Sequence, residues 1–510
     1  MDSPSDQLHI VMIPLMCPGH LIPMVDMAKL LAQRTVTVTI VATPRNAIRF
    51  GAVIGRAIES GMPIRLLEVR FPAVEAGLPE GCESVDDLPS LVMSINFFAA
   101  TKMLQEPVEK MLKDIKPSPS CILSDKHVFW TSDTAKKLQI PWIMFDGMSC
   151  FTQLCTENIY NSKVHESVSC ESESFVVRGL PDHIEFTKAQ LHGLFNPGSV
   201  PAIDEIREQV RATEVGAYGV VINSFEELEQ DYVDEFKKVR GDKVWCVGPL
   251  SLNNKNMLDK AERGHNNASI DGNKCLQWLD NWANGSVIYA CLGSLSSLTC
   301  TQLMELALGL EASERPFVWV VRAGGKQKEI EKWILEEGFE ESTKGRGFLI
   351  RGWAPQVLIL SHPAIGGFIT HCGWNSTIEG ICSGVPMITW PLFAEQFFNE
   401  KLVVQVLETG VSVGAKEVMP LGEEEKFGVK VRSKNVKEAI ECIMLEGKEG
   451  QERRKRAREL AKEAVRAVEE GGSSHLNITL LIEDIMKQTK EKKKLRNTLS
   501  KLQNSVSHII

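Results

Sequence analysis

Two polar segments of the sequence carry side chains suited to moving a proton. His20 lies in "PGHLIP", after one apolar run, and Asp125 lies in "CILSDKHVFW", after another. A neutral imidazole accepts a proton near neutral pH, and a neighbouring carboxylate orients it and stabilises its charged form. We expect His20 in the turn before a helix, whose positive end disfavours the imidazolium. A lone histidine or a strand-end aspartate is often structural, but together the two residues are typical of general-base catalysis.

A second segment, from Trp353 to Gln396, has residue types suited to holding an anion. Its sequence is "WAPQVLILSHPAIGGFITHCGWNSTIEGICSGVPMITWPLFAEQ", in which a strand, a glycine-containing loop, a short helix and another strand are predicted in turn. The free N–H groups near Asn375 and Ser376, at the start of that helix, favour an anion such as phosphate. A helix dipole contributes only about 0.3–1 kcal/mol, so side chains must supply most of the affinity. Ser376 and Glu379 fit a capping box equally well, and in that case they bind no ligand.

Several other chemistries lack their usual residue patterns. The segment 410–414 spells the GxSxG pattern of hydrolases, but it follows a helix and lies in a valine-rich strand. The sequence has no GxGxxG and no GKS/T, which argues against dinucleotide dehydrogenases and P-loop enzymes. It also lacks the DxD spacing with which some transferases hold a divalent cation, and His371 and Cys372 have no spaced partners for zinc. We therefore expect a reaction that needs no metal and no cofactor.

The elements that must position these residues follow a βαβ pattern in both halves of the chain. Residues 9–43 are predicted to form an apolar strand, a Pro-Gly turn, an amphipathic helix and a Thr/Val strand. The same alternation returns from Ser286, with a strand to Cys291 and a helix over residues 301–311. The polar, Gly/Asn-rich stretch after Gly248 is typical of a linker or a long exposed loop. Two doubly wound α/β units are therefore predicted, with His20 at a strand end, where such sheets bind ligands.

Composition bounds the class of protein. With 510 residues, of which 43% are hydrophobic, the chain is too long for one typical core and too apolar for disorder. Its formal net charge of -9 provides no basic field for nucleic acid, so no nucleic-acid partner is expected. Thirteen cysteines without CxxC pairs, and an N-terminus unlike a secretory signal, predict a cytoplasmic protein. No apolar run approaches the roughly 18 residues of a membrane span, so no integral membrane segment is expected.

The segment from Trp353 to Gln396 resembles the signature box of plant family 1 UDP-dependent glycosyltransferases, which modify secondary products. The order and nearly all fixed positions agree, from "WAPQ" through "HCGWNS" to the final acidic-Gln pair. The resemblance implies a GT-B fold, in which two Rossmann-like domains face each other across a cleft. It implies an acceptor-binding domain at residues 1–248 and a UDP-sugar-binding domain at 249–470. A final helix at 471–487 would cross back to the first domain, and residues 488–510 would form a flexible basic tail.

The resemblance also implies a role for each matching residue. His20 would be the catalytic base, and Asp125 would orient it. In the UDP-sugar site, Trp353 would stack on uracil, and Gln356 and Glu379 would hold the ribose hydroxyls. The diphosphate would be held by His371, Asn375 and Ser376. The remaining residues implied at the UDP-sugar site are Ser294, Ala354, Trp374, Glu395 and Gln396, of which the last three would lie beside the sugar.

The last residue of the box bears on the donor sugar. In this family a terminal Gln accompanies glucose and a His often accompanies galactose, so Gln396 implies UDP-glucose. Glu395 stands where Asp is commoner, which bears on sugar fidelity. The implied reaction is an inverting, metal-independent transfer of glucose to a hydroxyl, giving a β-O-glucoside. Another UDP-sugar, galactose or glucuronic acid, and a non-catalytic protein that binds a UDP-sugar or a small molecule are the alternatives.

The acceptor is expected against the first domain of a monomer. Large apolar residues there would line its site, although such residues more often belong to a core; the candidates are Met16, Phe97, Phe129, Phe145 and Phe195. A mostly apolar cleft suits a flat or polycyclic aglycone. The branch of the family that this chain resembles handles flavonoids, triterpenoids and steroid-like hormones. Residues 126–130, "KHVFW", differ from the apolar-Pro-aromatic run of relatives, so the wall that they form is not predicted.

Overall fold

The computed structural model describes residues 7–196, 201–264, 270–295, 298–322, 324–419 and 424–507. Helices and strands alternate along the first half of the chain, as predicted. Its strands are β1 (His9–Ile13), β2 (Thr37–Ala42), β3 (Ile64–Glu68), β4 (Cys121–Asp125), β5 (Trp142–Asp146), β6 (Ser174–Val176), β7 (Glu185–Thr187), β8 (Gly219–Ile222) and β9 (Val244–Cys246). Its helices are α1 (Pro18–Gln33), α2 (Pro44–Glu59), α3 (Ser94–Met103), α4 (Gln105–Asp114), α5 (Thr131–Leu138), α6 (Cys150–Ser162), α7 (Pro201–Glu214) and α8 (Glu226–Arg240).

The second half repeats this alternation after a linker that contains two helices. Its strands are β10 (Val287–Cys291), β11 (Phe317–Val321), β12 (Gly347–Arg351), β13 (Ile365–Thr370), β14 (Met387–Thr389) and β15 (Gly410–Ser412). The linker helices are α9 (Met257–Ala261) and α10 (Ile270–Leu279). The helices that follow are α11 (Cys300–Ala312), α12 (Gln327–Glu336), α13 (Phe339–Ser342), α14 (Gln356–Leu360), α15 (Trp374–Cys382), α16 (Gln396–Lys401), α17 (Glu424–Phe427), α18 (Ser433–Met444), α19 (Lys448–Val468) and α20 (Ser473–Ser507).

The first sheet is parallel and has the strand order β3-β2-β1-β4-β5-β8-β9. β1 and β4 consist of apolar runs that are buried along their whole length, which is typical of parallel strands covered on both faces. They pair directly, with Ile13 opposite Ser124. Parallel strands end at the same edge of a sheet. Asp125, the last residue of β4, and His20, which follows β1, therefore lie at the same edge.

The second sheet is also parallel, with the strand order β12-β11-β10-β13-β14-β15. β10 and β13 are neighbours, with Cys291 opposite Thr370. The strand order reverses beside β1 in the first sheet and beside β10 in the second, which opens a crevice at the carboxyl ends of the strands. The strand predicted at "IGGFIT" matches β13, and Gly384 follows α15 with a φ of 66°, as expected of a C-terminal cap.

The linker after Gly248 is not a long exposed loop through its first part, and that alternative is wrong there. Asp259, on α9, binds Lys29, and Arg56 Nη2 lies 2.7 Å from Asp259 Oδ1. Lys29 also donates to Asn254 over 2.7 Å. These charged side chains are largely buried, so they hold the linker on α1 and α2.

The last helix, α20, docks on the first domain, although it belongs to the end of the chain. It contacts α8, β9 and α19, and Asp484 accepts hydrogen bonds from Tyr218 (2.7 Å) and Lys243 (2.8 Å). The basic tail predicted from residue 488 continues α20 as a helix as far as Ser507. Among the described residues, no helix combines the length and apolar character that crossing a membrane requires.

Candidate active site

The two domains face each other across a cavity of about 1240 Å³, part of which is open to solvent. The first domain lines it with the segments that follow β1, β4 and β5, and the second domain lines it with the segments that follow β10, β12 and β13. The carboxyl ends of both sheets therefore border one space, which is where doubly wound sheets bind ligands.

The candidate base and its partner lie together on the first domain's wall. α1 begins at Pro18, so His20 lies in the first turn of the helix rather than in the turn before it. Its Nδ1 lies 2.6 Å from Oδ2 of Asp125, which is only 2% exposed. The carboxylate accepts this hydrogen bond, which leaves Nε2 as the ring nitrogen that can accept a proton.

The Asp125 carboxylate also determines the charge preference of His20. Burial of the ring is the largest single effect and opposes the imidazolium, but the charge of Asp125, its hydrogen bond to the ring and the charge of Glu395 together outweigh burial and raise the pKa of His20. The net preference at this position is therefore opposite in sign to the one expected from the helix end alone. Burial alone would raise the pKa of Asp125, yet its two histidine partners hold that pKa well below its usual range. Asp125 is thus ionised at neutral pH.

A second histidine shares this carboxylate. Oδ1 of Asp125 accepts hydrogen bonds from the backbone N–H and from Nδ1 of His127, each over 2.9 Å. The rings of His20 and His127 meet edge to face, with their centroids 5.3 Å apart. The sequence marked His127 only as a departure from the usual run of the family, so this contact was not predicted.

The predicted anion site lies at the start of α15. The helix begins at Trp374 after Gly373, so Ser376 lies inside it and the capping-box alternative is wrong. Glu379 instead accepts a hydrogen bond from Gln356 Nε2 over 2.8 Å, and the same nitrogen donates to Ser376 Oγ over 3.1 Å. Because Gln356 begins α14, these bonds connect two helix starts at the cavity.

His371 lies in the loop between β13 and α15, against two glycines. A Cβ at Gly293 would approach its ring to 2.5 Å, and one at Gly373 would approach it to 2.4 Å. Burial lowers the pKa of His371 to about 4, so the ring is neutral near pH 7 and carries one N–H group. Its Nδ1 is buried without a hydrogen-bond partner among the described residues. A polar ring at the cavity wall thus retains hydrogen-bonding capacity for a ligand.

Two side chains at the start of α15 reach across to the first domain. Asn375 Nδ2 donates to the carbonyl oxygen of Gly19 over 2.6 Å. Trp374 Nε1 donates to the carbonyl oxygen of Asn223, at the end of β8, over 2.8 Å. The anion site and the helix that carries His20 are therefore in direct contact.

Most residues predicted at the site border the cavity. They are His20, Asp125, Ser294, Trp353, Ala354, Gln356, His371, Trp374, Asn375, Ser376, Glu379 and Glu395. Gln396, which was expected beside the sugar, is not among the residues that line the cavity. It is 2% exposed, and its Oε1 accepts the N–H groups of Leu392 (2.8 Å) and Phe393 (3.0 Å).

Of the five side chains expected around the acceptor, Phe145 borders the cavity, and Met16, Phe97, Phe129 and Phe195 do not. Phe145 is also a buried member of the hydrophobic core, as are Met16, Phe97 and Phe195. Apolar side chains serve both roles, and their spacing along the sequence does not separate a core position from a ligand wall.

Charged residues that the sequence did not predict also line the cavity. Lys126 Nζ lies 2.9 Å from Oδ2 of Asp146, and both residues border the cavity. Arg263, from the linker, binds Glu379, and the guanidinium of Arg322 lies 5.6 Å from the ring centroid of Trp353. The unusual run after Asp125 was the only sequence signal for Lys126, and the arginines lie in stretches without a motif.

Comparison with known proteins identifies the family to which the chain belongs. The family described as "UDP-glucoronosyl and UDP-glucosyl transferase" matches residues 256–440, and "Glycosyltransferase, N-terminal domain" matches residues 6–252. The chain is 53% identical to UDP-glycosyltransferase 73C11 of Barbarea vulgaris over 94% of this chain and 97% of that protein. The chain belongs to the plant UDP-glycosyltransferase family. It is therefore a glycosyltransferase that takes its sugar from a UDP-sugar, and the resemblance seen in the signature box is confirmed.

Solved structures of plant UDP-glycosyltransferases share the fold. Glycyrrhiza uralensis UGT73P12, complexed with glycyrrhetinic acid 3-O-monoglucuronide, is 36% identical with a TM-score of 0.86, covering 98% of this chain and 99% of that one. Arabidopsis thaliana UGT89C1, complexed with quercetin, is 28% identical with a TM-score of 0.70, covering 94% of this chain and 100% of that one. The predicted GT-B fold is confirmed.

Proposed function

We propose that this UDP-glycosyltransferase transfers glucose from UDP-glucose to a hydroxyl of a small, largely apolar aglycone, with inversion, giving a β-O-glucoside. One observation carries the proposal. Asn375, at the start of α15, donates a 2.6 Å hydrogen bond to the carbonyl of Gly19, the residue before His20. A helix start suited to a diphosphate thus contacts the turn that carries the base, so a sugar on that diphosphate lies near the imidazole.

In this proposal the second domain holds the donor. The indole face of Trp353 stacks on uracil, and Gln356 and Glu379 hold the ribose hydroxyls. The diphosphate lies at the start of α15 and receives hydrogen bonds from Asn375 and from the neutral ring of His371, whose pKa of about 4 keeps it uncharged. The support is that all five side chains border one cavity.

The first domain performs the proton transfer. Nε2 of His20 takes the proton of the acceptor hydroxyl as its oxygen attacks the anomeric carbon and the bond from that carbon to UDP breaks. The imidazolium that forms is stabilised by Asp125, 2.6 Å from Nδ1. Attack from the side opposite the leaving diphosphate inverts the anomeric centre. The base and the diphosphate contacts come from the chain itself, so the proposal gives a metal no part in the transfer.

A different UDP-sugar is the second candidate, and the position of Gln396 favours testing it. The choice of glucose depends on Gln396, whose Oε1 accepts backbone hydrogen bonds within its own loop. Its neighbour Glu395 borders the cavity. One relative was solved with a glucuronide and another, Arabidopsis thaliana UGT89C1, with UDP-L-rhamnose. Donor preference therefore has to be measured with several UDP-sugars in competition.

We propose a flavonoid, a triterpenoid or a steroid-like hormone as the acceptor. Quercetin and glycyrrhetinic acid monoglucuronide, found in complexes of two relatives, are polycyclic and hydroxylated. Phe145 and Met148 give the first domain's wall an apolar part. The Lys126–Asp146 pair beside them suits a second polar group on the aglycone.

The proposed active species is a cytosolic monomer. One polypeptide supplies both the base and the donor contacts, so a second copy adds nothing that this mechanism requires. A reducing compartment suits the free thiols that the chain carries, many of them buried.

A panel of hydroxylated aglycones with UDP-glucose, UDP-galactose, UDP-glucuronic acid and UDP-rhamnose tests the function. We expect a mass gain of one hexose with UDP-glucose, and an NMR spectrum of the product with a β-anomeric proton. Preferential use of another donor in competition would replace glucose in the proposal. Activity that a chelator abolishes and Mn²⁺ restores would contradict metal-independent transfer.

The first mutational prediction concerns the base. His20→Ala removes the proton acceptor, and general-base catalysis contributes about 10²–10⁴ in rate, so kcat should fall by that factor. UDP binding, measured by calorimetry, should persist because the donor contacts lie in the second domain. His183→Ala is the control, since His183 is exposed and pairs with Glu185. Unchanged turnover in His20→Ala would reject the base assignment.

A further inference from the structure

The group formed by His20, Asp125 and His127 has a second chemical capacity. Each residue offers one ligand atom, and these three atoms all lie within 4.8 Å of one another. Asp125 Oδ2 is 2.6 Å from Nδ1 of His20, and Oδ1 is 2.9 Å from Nδ1 of His127. Two imidazole nitrogens and one carboxylate oxygen form the donor set of many zinc sites with an open coordination position.

This group borders the cavity between the domains. Two further carboxyl groups, those of Asp146 and Glu395, border the same cavity, and Asp146 is paired with Lys126. The side chains of His20 and His127 are 30% and 27% exposed, so an ion reaches them from the cavity without unfolding.

We propose that His20, Asp125 and His127 form a Zn²⁺ site, and that zinc bound there inhibits the enzyme. Imidazole and carboxylate ligands suit Zn²⁺ at bond lengths of about 2.0–2.2 Å. The ligand atoms start within 4.8 Å, so small side-chain rotations bring them around one ion. The transfer reaction itself needs no metal in the proposed function, and zinc acts here as a regulator of the base.

Inhibition follows from the two nitrogens of the His20 ring. A neutral imidazole has one N–H and one lone pair. If zinc takes the lone pair of Nδ1, the ring proton lies on Nε2, which then cannot accept the proton of the acceptor hydroxyl. If zinc takes Nε2, the base is occupied directly. Either coordination removes the base, and this consequence depends on the proposed function, whereas zinc binding does not.

The binding test uses the full chain after removal of metal with EDTA and dialysis. Zn²⁺ is titrated in competition with a chromophoric chelator, so the measurement requires no activity. His127→Asn retains an N–H donor for Asp125 but removes an imidazole ligand, and His183→Asn is the matched control beside Glu185. We expect wild type and His183→Asn to bind one more equivalent of zinc than His127→Asn. Equal stoichiometry in all three would overturn the proposal.

Background binding by the free cysteines is common to all variants and cancels in this comparison. His20→Asn provides a second variant if His127→Asn does not fold, as judged by circular dichroism, and it should lose the same equivalent. Retention of that zinc equivalent in His20→Asn would overturn the proposal.

The activity test compares rates with and without zinc within each variant. We expect Zn²⁺ to inhibit wild type, EDTA to restore the rate, and His127→Asn to raise the half-inhibitory zinc concentration by at least about tenfold, as for weakened metal sites. Stimulation by zinc, or equal inhibition of both proteins, would overturn the regulatory claim. Absence of transfer from every UDP-sugar in zinc-free buffer is a different result, since it rejects the proposed function while the binding test still decides the site.

Discussion

At the scale of single residues, the charge on Asp125 determines how His20 can work as a base. Burial lowers the pKa of a histidine, and the adjacent carboxylate raises it. At His20 burial is the largest single effect, but the charge and hydrogen bond of Asp125 and the charge of Glu395 together exceed it, so the pKa of His20 lies above the ordinary value of 6.5. The base is neutral only when the pH exceeds that raised pKa, so kcat/KM should increase with pH over a limb that lies above pH 6.5.

Asp125→Asn tests this prediction. The substitution removes the negative charge that raises the pKa of His20, so the acidic limb of the kcat/KM profile should move to lower pH. The maximal rate should fall by up to about 10⁴-fold, because the ring loses its orienting carboxylate. The profile is recorded from pH 5 to pH 9 in zinc-free buffer. A limb at the same pH in both proteins would show that another group controls it.

The sequence predicted many of the residues that border the cavity. Nine of them belong to the signature box, which fixes residue type and spacing together. Gln396 and four of the five acceptor candidates do not border the cavity, since the sequence does not reveal which way a buried side chain points. The direction of the net pKa shift of His20 was not predicted, because it depends on the balance between burial and the charges of Asp125, Glu395 and Lys126.

At the scale of elements, the close approach of two loops holds His371. Gly293, after β10, has a φ of 85°, and a Cβ there would lie 2.5 Å from the His371 ring. Gly293→Ala should therefore displace the ring and raise the KM for the UDP-sugar. Gly414 also has a φ of 85° but has open space around it, so Gly414→Ala carries the backbone strain alone.

The two alanine variants are compared by their free energy of unfolding and by KM. Both should lose about 1–2 kcal/mol from the left-handed backbone, and Gly293→Ala should lose about 1–3 kcal/mol more from overpacking. Equal stability and equal KM in the two variants would show that His371 tolerates the added methyl group.

The linker is a second element whose role depends on buried charge. Arg263 Nε lies 2.8 Å from Oδ2 of Asp26 on α1, and its guanidinium also binds Glu379 on α15. The side chains of Asp26 and Glu379 are 3% and 5% exposed, so removing the cation leaves two buried carboxylates. Arg263 therefore connects the first domain to Glu379, the residue predicted to hold the ribose hydroxyls of the donor.

Arg263→Ala should lower the free energy of unfolding by about 3–5 kcal/mol, as expected when one partner of a buried ion pair is removed. The KM for the UDP-sugar should rise because Glu379 loses a positioning contact, while Arg263→Lys should retain part of both. Arg351→Ala is the matched control, since Arg351 also binds two carboxylates but is 40% exposed and should cost about 0–1 kcal/mol. A similar loss in both variants, measured by denaturant titration, would contradict the buried connection.

The elements themselves were more predictable than the connections between them. The apolar runs of β1, β10 and β13 have lengths and flanking turns that distinguish buried parallel strands. The linker has no such periodicity, and its order comes from ion pairs between residues more than 200 positions apart, such as Lys29 with Asp259. Interactions over that separation leave no local pattern in a sequence.

At the scale of the whole molecule, the last helix returns to the first domain. α20 follows the second domain but packs against the first, where Asn477 donates to the carbonyl of Cys246 over 3.1 Å. Ile478, Leu481 and Ile485 are at most 1% exposed along this helix. The helix thus connects the two domains on the side of the molecule formed by β9 and α8, in addition to the contacts at the cavity.

Two neighbouring leucines on α20 allow the contribution of packing to stability to be measured separately from that of helix formation. Leu481 is fully buried and Leu480 is 53% exposed, so Leu481→Ala should cost about 2–5 kcal/mol and Leu480→Ala should change stability by at most about 0.5 kcal/mol. A chain that ends at Lys487 keeps all three buried side chains and should retain nearly all of the free energy of unfolding. Denaturant titration of the four proteins measures these differences. If Leu481→Ala were no less stable than Leu480→Ala, the packing of α20 on the first domain would not contribute to the stability of the folded chain.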